Sequence, residues 1–335
     1  MTNPVTKPSK RALVVTGPGS VSLEERPPAL APPGEVVVSP SVVGLCGTDL
    51  EIIDGRIDPA YVRYPLVLGH EWCGVLDGPD AKQLVVAEGV VACGHCERCR
   101  QGRTNLCETY DEVGFTRDGA LADEVVVPRR VIHLLDQAVD RSAAALVEPM
   151  AVVFQGLDRA RPKPGWRVLV IGDGTVGLLS ALLVRLYSPS VVDLVGARSA
   201  QEDLALEAGA DSFSTPEQAP KGDYDLVVEA AGSSRAAGMA LDSARRGGAV
   251  LLLGLPPHGE KTPVAVDDVV NRDLAVHASF SYTSSSFAEV AGLLSTGAVE
   301  PSFLVTHRLA LEEWPAALEA LRQPVGARGK VVIEL

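Results

Sequence analysis

Four of the chain's six cysteines, Cys93, Cys96, Cys99 and Cys107, fall within fifteen positions, separated by two, two and seven residues. Thiolates at this spacing can converge on one tetrahedral ion about 2.3 Å from each sulfur, because short turns bring neighbours to the same side of a loop. Four sulfurs complete the shell of Zn²⁺, so the expectation is a closed, structural zinc that staples a lobe. Arg98, Arg100 and Arg103 stand among the cysteines and offset their charge. The competing readings are a disulfide or redox cluster, disfavoured where thiols stay reduced, and His95 as a substitute ligand.

A second set of donors is dispersed. Cys46 lies in "GLCGTDLEI" (44–52), His70 in "YPLVLGHEWCG" (64–74) and Glu148 in "ALVEPMAV" (145–152). One thiolate, one imidazole and one carboxylate neutralise Zn²⁺ and leave a fourth position open, the pattern of a catalytic rather than a structural ion. Cys46, His70 and Glu148 are expected as primary ligands, with Glu71 as an adjustable one. Cys73 reads as a buried apolar residue.

A third motif binds a different partner. "WRVLVIGDGTVGLLSALLVRL" (166–186) is an apolar strand, then Gly172-x-Gly174-x-x-Gly177, then an apolar helix. Gly172 permits the turn, Gly174 lets the backbone approach a pyrophosphate, and Gly177 lets helix and strand pack closely, with Thr175 and Val176 at the helix start. Strand-like and helix-like segments then alternate to about residue 257, which predicts a doubly wound parallel sheet. An acid about 20 residues beyond the fingerprint would select NAD. Gly196 stands there instead, Arg198 follows, and Asp193 falls too early. Space plus a guanidinium suits a 2′-phosphate, so NADP is favoured over NAD. A merely solvated or adenine-stacking Arg198 is the alternative.

Composition narrows the partners. The chain has 335 residues, 46% hydrophobic and 22% charged, with a net charge of −13. The acidity argues against nucleic acid as a partner. The longest apolar run, "VGLLSALLV" (176–184), is too short to span a bilayer, and the first residues carry no apolar leader. A cytoplasmic protein with no membrane partner is expected.

Taken in order, Cys-Gly-Thr-Asp, Gly-His-Glu, the four-cysteine lobe, Glu-Pro and the glycine fingerprint resemble the zinc-dependent medium-chain dehydrogenases that act on alcohols, polyols and sugars. The resemblance covers essentially the whole chain. It implies an α/β fold: a GroES-like β-barrel catalytic domain (1–152 and 288–335) plus a Rossmann doubly wound parallel sheet (153–287), assembled as a homodimer or homotetramer. "GAR" (196–198) resembles the Gly-Ser-Arg of NADP-using members, and Glu148 in place of a cysteine resembles the polyol and sugar branch. "GHEWCG", "GFTRDGA" (114–120) and "VEPMAV" look closest to aminocyclitol dehydrogenases of the 2-deoxy-scyllo-inosamine dehydrogenase type, enzymes of antibiotic biosynthesis.

The implied reaction moves a hydride between a secondary hydroxyl and the nicotinamide, with Cys46 and His70 among the catalytic residues. Thr48 is implied as the first step of a proton relay. Glu51 occupies the place where relatives often carry a relay histidine. Asp49, Glu51, Phe115 and Arg117 are the candidates for contact with a small, polar, hydroxylated substrate, with Asp49 read first as a residue that orients a ligand. The rival readings are a dehydrogenase of simple alcohols or threonine-like substrates, a zinc-free double-bond reductase, and a non-catalytic NADP-binding protein.

Overall fold

The computed structural model describes residues 9–78, 81–220 and 222–335. The opening residues 1–8, read above as lacking a leader, lie outside the described residues. No described helix is long and apolar enough to cross a membrane.

The first part of the chain is mostly strands: β1 (Lys10–Gly17), β2 (Ser20–Arg26), β3 (Glu35–Leu45), β4 (Leu66–Val67), β5 (Glu71–Asp77), β6 (Lys82–Ala87), β7 (Val125–Pro128) and β8 (Ile132–Leu134). Only short helices interrupt them, α1 (Gly47–Ile53) and α2 (Glu97–Arg100), followed by α3 (Arg141–Ala144) and the long α4 (Val147–Ala160). The middle alternates: β9 (Arg167–Ile171), α5 (Thr175–Val184), β10 (Val191–Val195), α6 (Glu202–Glu207), β11 (Ser212–Ser214), β12 (Tyr224–Glu229), α7 (Ser234–Ser243), β13 (Ala244–Leu252), α8 (Val266–Asn271) and β14 (Ala275–Ala278). Then come α9 (Ser284–Ser295), β15 (Val305–Ala310), α10 (Trp314–Arg322) and β16 (Lys330–Glu334).

The middle strands form one parallel sheet in the order β11-β10-β9-β12-β13-β14. Counted from β9 this is the doubly wound order 3-2-1-4-5-6, whose switch point lies between β9 and β12. The strands at its centre are continuous apolar runs because helices cover both faces. Val168, Leu169, Val170, Leu226, Val227 and Val228 are all fully buried.

The early strands form the barrel-like part, with the order β15-β16-β3-β5-β6-β8 in its largest sheet. Two of its members, β15 and β16, come from the C-terminal part, so the chain returns to complete the sheet it began. Val331, Val332 and Ile333 of β16 face Leu45, Gly44 and Val43 of β3. Together the two sheets give the expected GroES-like and Rossmann-like pair.

The passages between the two halves are helical. The expected boundaries at 152/153 and 287/288 fall inside α4 and α9. One apolar cluster runs through both halves, joining Val42, Cys73 and Val86 of the barrel to Val170, Leu179 and Phe287. The fingerprint glycines have steric reasons. Gly172 has φ +127°, and a Cβ at Gly177 would overlap the Gly172 carbonyl oxygen. Gly177→Ala is therefore expected to push α5 off β9, lowering stability by about 1–3 kcal/mol. Urea unfolding together with a nicotinamide-cofactor titration checks this, and unchanged values in both would contradict it.

Candidate metal and cofactor site

The register of β3 with β5 builds the first centre. Gly44 pairs with Glu71, which brings Cys46, just past the end of β3, beside His70, just before β5. Cys46 is the N-cap of α1. Ligand atoms of Cys46, His70 and Glu71 all lie within 4.8 Å of one another. His70 and Glu71 are buried, with 5% and 2% exposure.

Asp49 locks this corner. It is wholly buried, and its Oδ2 accepts the Cys46 amide N–H at 2.8 Å, while Oδ1 lies 3.4 Å from His70 Nδ1. Burial disfavours a charged His70, but Asp49 and Cys46 outweigh it and raise its pKa well above the usual histidine value. Asp49 was expected to orient a ligand or to contact substrate. Its Oδ2 is taken by the Cys46 amide and its Oδ1 faces His70, which favours the orienting role.

Glu148 stands outside the group of three. It sits in the first turn of α4 and is pushed up to about 8, first by burial and then by the charge of Glu71. The expected order of ligands is thus changed: the carboxylate that joins Cys46 and His70 is Glu71, which follows His70 directly at the start of a strand. The donor chemistry fits Zn²⁺, since a thiolate, an imidazole and a carboxylate offer the mixed set that a catalytic zinc takes. Among the described residues no hydrogen-bond partner meets the buried His70 Nδ1 and Asp49 Oδ1 atoms, and such a network is costly unless something polarises it.

Two neighbours were not legible in the sequence. Lys330 opens β16, is 2% exposed and pairs with Glu71. Burial alone would lower its pKa, but Glu71 and Cys46 raise it. It offsets the charge of Glu71, the carboxylate that joins Cys46 and His70. Glu112 is 8% exposed, pushed up to about 7 by burial, and within electrostatic reach of His70. Only its place in "YDEVGFTRDG", before the expected substrate segment, could have marked it.

The remaining expected contacts divide. Thr48 Oγ1 is 3.5 Å from Cys46 Sγ. Glu51 is half-buried three residues along α1. The Phe115 ring lies against His70, with centroids 5.1 Å apart. Arg117 is engaged by Glu35 at 2.5 Å and Asp111 at 3.3 Å, so its guanidinium serves the scaffold rather than a substrate.

The four clustered thiols form the second centre. Sulfurs of Cys93, Cys96, Cys99 and Cys107 lie within 4.8 Å of one another. Backbone N–H groups turn inward: Cys93 donates to Cys107 Sγ at 3.2 Å and Cys96 to Cys93 Sγ at 3.3 Å. Backbone N–H donors stabilise thiolate, and those of Glu108 and then Cys99 pull Cys96 down to about 6. Among the described residues no other donor type enters this cluster, which fits a closed zinc site. His95 is not a ligand: its Nδ1 pairs with the Cys93 carbonyl at 3.0 Å. Cys73 is fully buried, and burial pushes its thiol up to about 12.

The nucleotide end lies at the switch point. Gly174 caps α5, and nothing lies within 4 Å of a Cβ built there, so backbone can meet a pyrophosphate. The Thr175 hydroxyl donates to the Gly329 carbonyl at 2.8 Å, tying α5 to the C-terminal segment, while Val176 packs on the core. Gly196 ends β10 where an acid was expected. A Cβ there would overlap Asp173 and lie 2.8 Å from its Oδ2. Asp193 is committed elsewhere, accepting from Ser212 and Tyr224.

The chain is similar to known proteins. Residues 32–137 match the alcohol dehydrogenase GroES-like domain family, and residues 141–335 match the glucose dehydrogenase C-terminus family. L-galactonate-5-dehydrogenase of Escherichia coli (strain K12) is 30% identical over 312 residues, 88% of this chain and 90% of the relative. Sorbitol dehydrogenase of Bacillus subtilis (strain 168) is 28% identical over 332 residues, 93% and 94% of the two chains. A zinc-binding dehydrogenase of Sinorhizobium meliloti 1021, solved bound to NADP, superposes with a TM-score of 0.90 at 28% identity. The match covers 98% of this chain and 100% of that one.

Two substitutions separate the centres. Lys330→Met leaves Glu71 buried without its partner and is expected to cost about 3–5 kcal/mol in chemical unfolding. A loss under 1 kcal/mol would mean Glu71 is balanced by other means. Cys96→Ser is expected to remove about one zinc per chain by elemental analysis and to lower Tm by roughly 5 °C or more. Unchanged metal content would refute the closed site.

Proposed function

Because the chain belongs to the zinc-type medium-chain alcohol and polyol dehydrogenase family, we propose that it transfers a hydride between a secondary hydroxyl of a polyol, sugar or aminocyclitol and NADP. The coarser part follows from the family: an oxidoreductase acting on CH–OH groups with a nicotinamide cofactor. The observation that carries the reading is the convergence of Cys46, His70 and Glu71 within 4.8 Å of one another beside Thr48. A non-catalytic fold relative would have no physical need of a thiolate, an imidazole and a carboxylate at one point, nor would a zinc-free double-bond reductase.

Zn²⁺ held by Cys46, His70 and Glu71 would supply a Lewis acid that eases loss of the hydroxyl proton. Thr48 Oγ1 receives that proton and passes its own along. Glu51, three residues further on α1 and so on the same helix face, takes it toward solvent. Phe115, packed on His70, keeps the ring in place and excludes water. Asp49 fixes Cys46 and His70. Glu148 and Glu112 add carboxyl groups within reach of the reacting centre.

Those carboxyl groups motivate the substrate class. Glu112 is buried, and burial pushes its carboxyl up to about 7. A hydroxyl-rich ring that bears an amine would satisfy them, consistent with the motif resemblance to aminocyclitol dehydrogenases and with a role in secondary-metabolite biosynthesis. NADP is favoured by Gly196 and Arg198. Two Zn²⁺ per chain, one at each centre, complete the cofactors. Assembly as a homodimer or homotetramer is supported by β14, a sheet-edge strand flanked by the exposed apolar residues Val270, Val276 and Phe280.

A panel of polyols, amino sugars and simple alcohols with NADP⁺ tests this through growth of reduced-nicotinamide absorbance. Cyclitols or amino sugars are expected to react fastest. Faster turnover of simple primary alcohols would overturn the substrate class, and no reduction with any alcohol would overturn the activity. Thr48→Ala should lower kcat about 100-fold while leaving cofactor binding intact. An unchanged kcat would remove Thr48 from the relay.

A further inference from the structure

The second position of the glycine fingerprint is an aspartate, and its side chain does not point idly. Asp173 Oδ2 accepts the Arg198 backbone N–H at 2.9 Å, and Oδ1 accepts Arg198 Nη2 at 3.1 Å. The same Nη2 donates to the Asp173 carbonyl at 3.0 Å, and Nε lies 3.4 Å from Oδ2. One edge of the guanidinium is thus fully held. The remaining nitrogen, Nη1, is buried and has no hydrogen-bond partner among the described residues.

A second arginine comes to the same place from the other half of the molecule. Gln201 Nε2 donates to the Asp173 carbonyl at 2.5 Å and to the Arg328 carbonyl at 2.9 Å, while the Arg328 N–H donates to Gln201 Oε1 at 2.6 Å. Arg328 Nε is likewise buried without a hydrogen-bond partner among the described residues. Burial lowers the Arg328 pKa, and the nearby charge of Arg198 lowers it further. Two cations and one anion therefore meet here, with two guanidinium donors unused. A buried donor without an acceptor is costly, and unused guanidinium donors suit a phosphate.

The acid's position matters as well. An acidic residue at the end of β10 would bind the ribose hydroxyls of NAD. A Cβ at Gly196 would lie 2.4 Å from Asp173 Cβ, so no acidic side chain fits at that position, and the carboxylate of Asp173 is turned onto Arg198.

We infer that Asp173 is a positioning residue for cofactor choice, holding Arg198 so that its free Nη1 meets the 2′-phosphate of NADP, with Arg328 as the second cation of that pocket. The inference rests on the NADP reading above and adds to it two residues, one inside the fingerprint and one from the C-terminal segment. Because Arg328 belongs to the segment that enters the barrel, a 2′-phosphate would bridge the two halves of the molecule.

Fluorescence titrations of the intact protein with NADPH and with NADH provide the test. Wild type should bind NADPH at least about tenfold more tightly. Asp173→Ala and Arg328→Gln should each weaken NADPH about tenfold and change NADH less than about twofold. Should Asp173→Ala not fold, Asp173→Asn, which keeps the shape and loses the charge, must move in the same direction. A wild type that prefers NADH overturns the NADP reading and this inference together. A wild type that prefers NADPH, with the preference retained or increased on loss of Asp173, overturns the inference alone. Equal losses for both cofactors in Arg328→Gln assign that arginine to the pyrophosphate and overturn its part.

Discussion

The contact on which the rest depends is the meeting of Lys330 and Glu71 across Gly44. Three adjacent strands supply these residues: β16, β5 and, between them, β3. A Cβ at Gly44 would lie 2.7 Å from both Glu71 Oε2 and Lys330 Cε. Only a residue without a side chain lets the ammonium and the carboxylate join over the middle strand. Without Lys330 the pocket would hold Cys46, Asp49, Glu71 and Glu148 in close company with no cationic side chain at Glu71. A buried charge of that kind is tolerated only when paired.

The same arrangement explains why the C-terminus has to return. The last strand brings Lys330 to the centre, and the residues just before it reach the nucleotide end. Gly329 takes the Thr175 hydroxyl and Arg328 takes Gln201. Within three consecutive residues the chain touches the candidate metal ligand Glu71, the fingerprint helix and the loop after β10. The two halves are therefore coupled through one short strand and through the apolar core that α4 and α9 share.

The parts legible in the sequence are those whose signal is local. Four cysteines at short spacing, a glycine fingerprint between a strand and a helix, and alternating apolar segments each carry their meaning within about twenty residues. The donors Cys46 and His70 could be named from their motifs, because glycines flank them. What stayed hidden depends on long-range register. Lys330 is a lysine in an ordinary apolar strand until β16 is placed beside β3. Glu71 and Glu148 could not be ranked, because which carboxylate joins the thiolate depends on where α4 begins relative to β5. Arg117 looked available until Glu35, 82 positions away, was seen to hold it. His133 had no visible partner in the sequence, yet its Nε2 lies 2.9 Å from the buried Glu88, which in turn accepts from the Ser284 hydroxyl at 2.6 Å.

The cysteine lobe is fastened to more than itself. Asn105, between the third and fourth cysteines, donates to the Phe280 carbonyl at 2.6 Å, and the Thr104 hydroxyl accepts the Ser284 N–H at 2.8 Å. The strap from Phe280 to Ser284 leaves the edge strand β14, sends the Tyr282 hydroxyl to the Gly89 N–H at 2.8 Å and then starts α9. A clamp of four sulfurs on the barrel side thus doubles as a rivet for the rim of the nucleotide sheet. Corrosion of that rivet, by oxidant or by chelator, would be felt first along the rim and only later in the pocket where Cys46 and His70 stand.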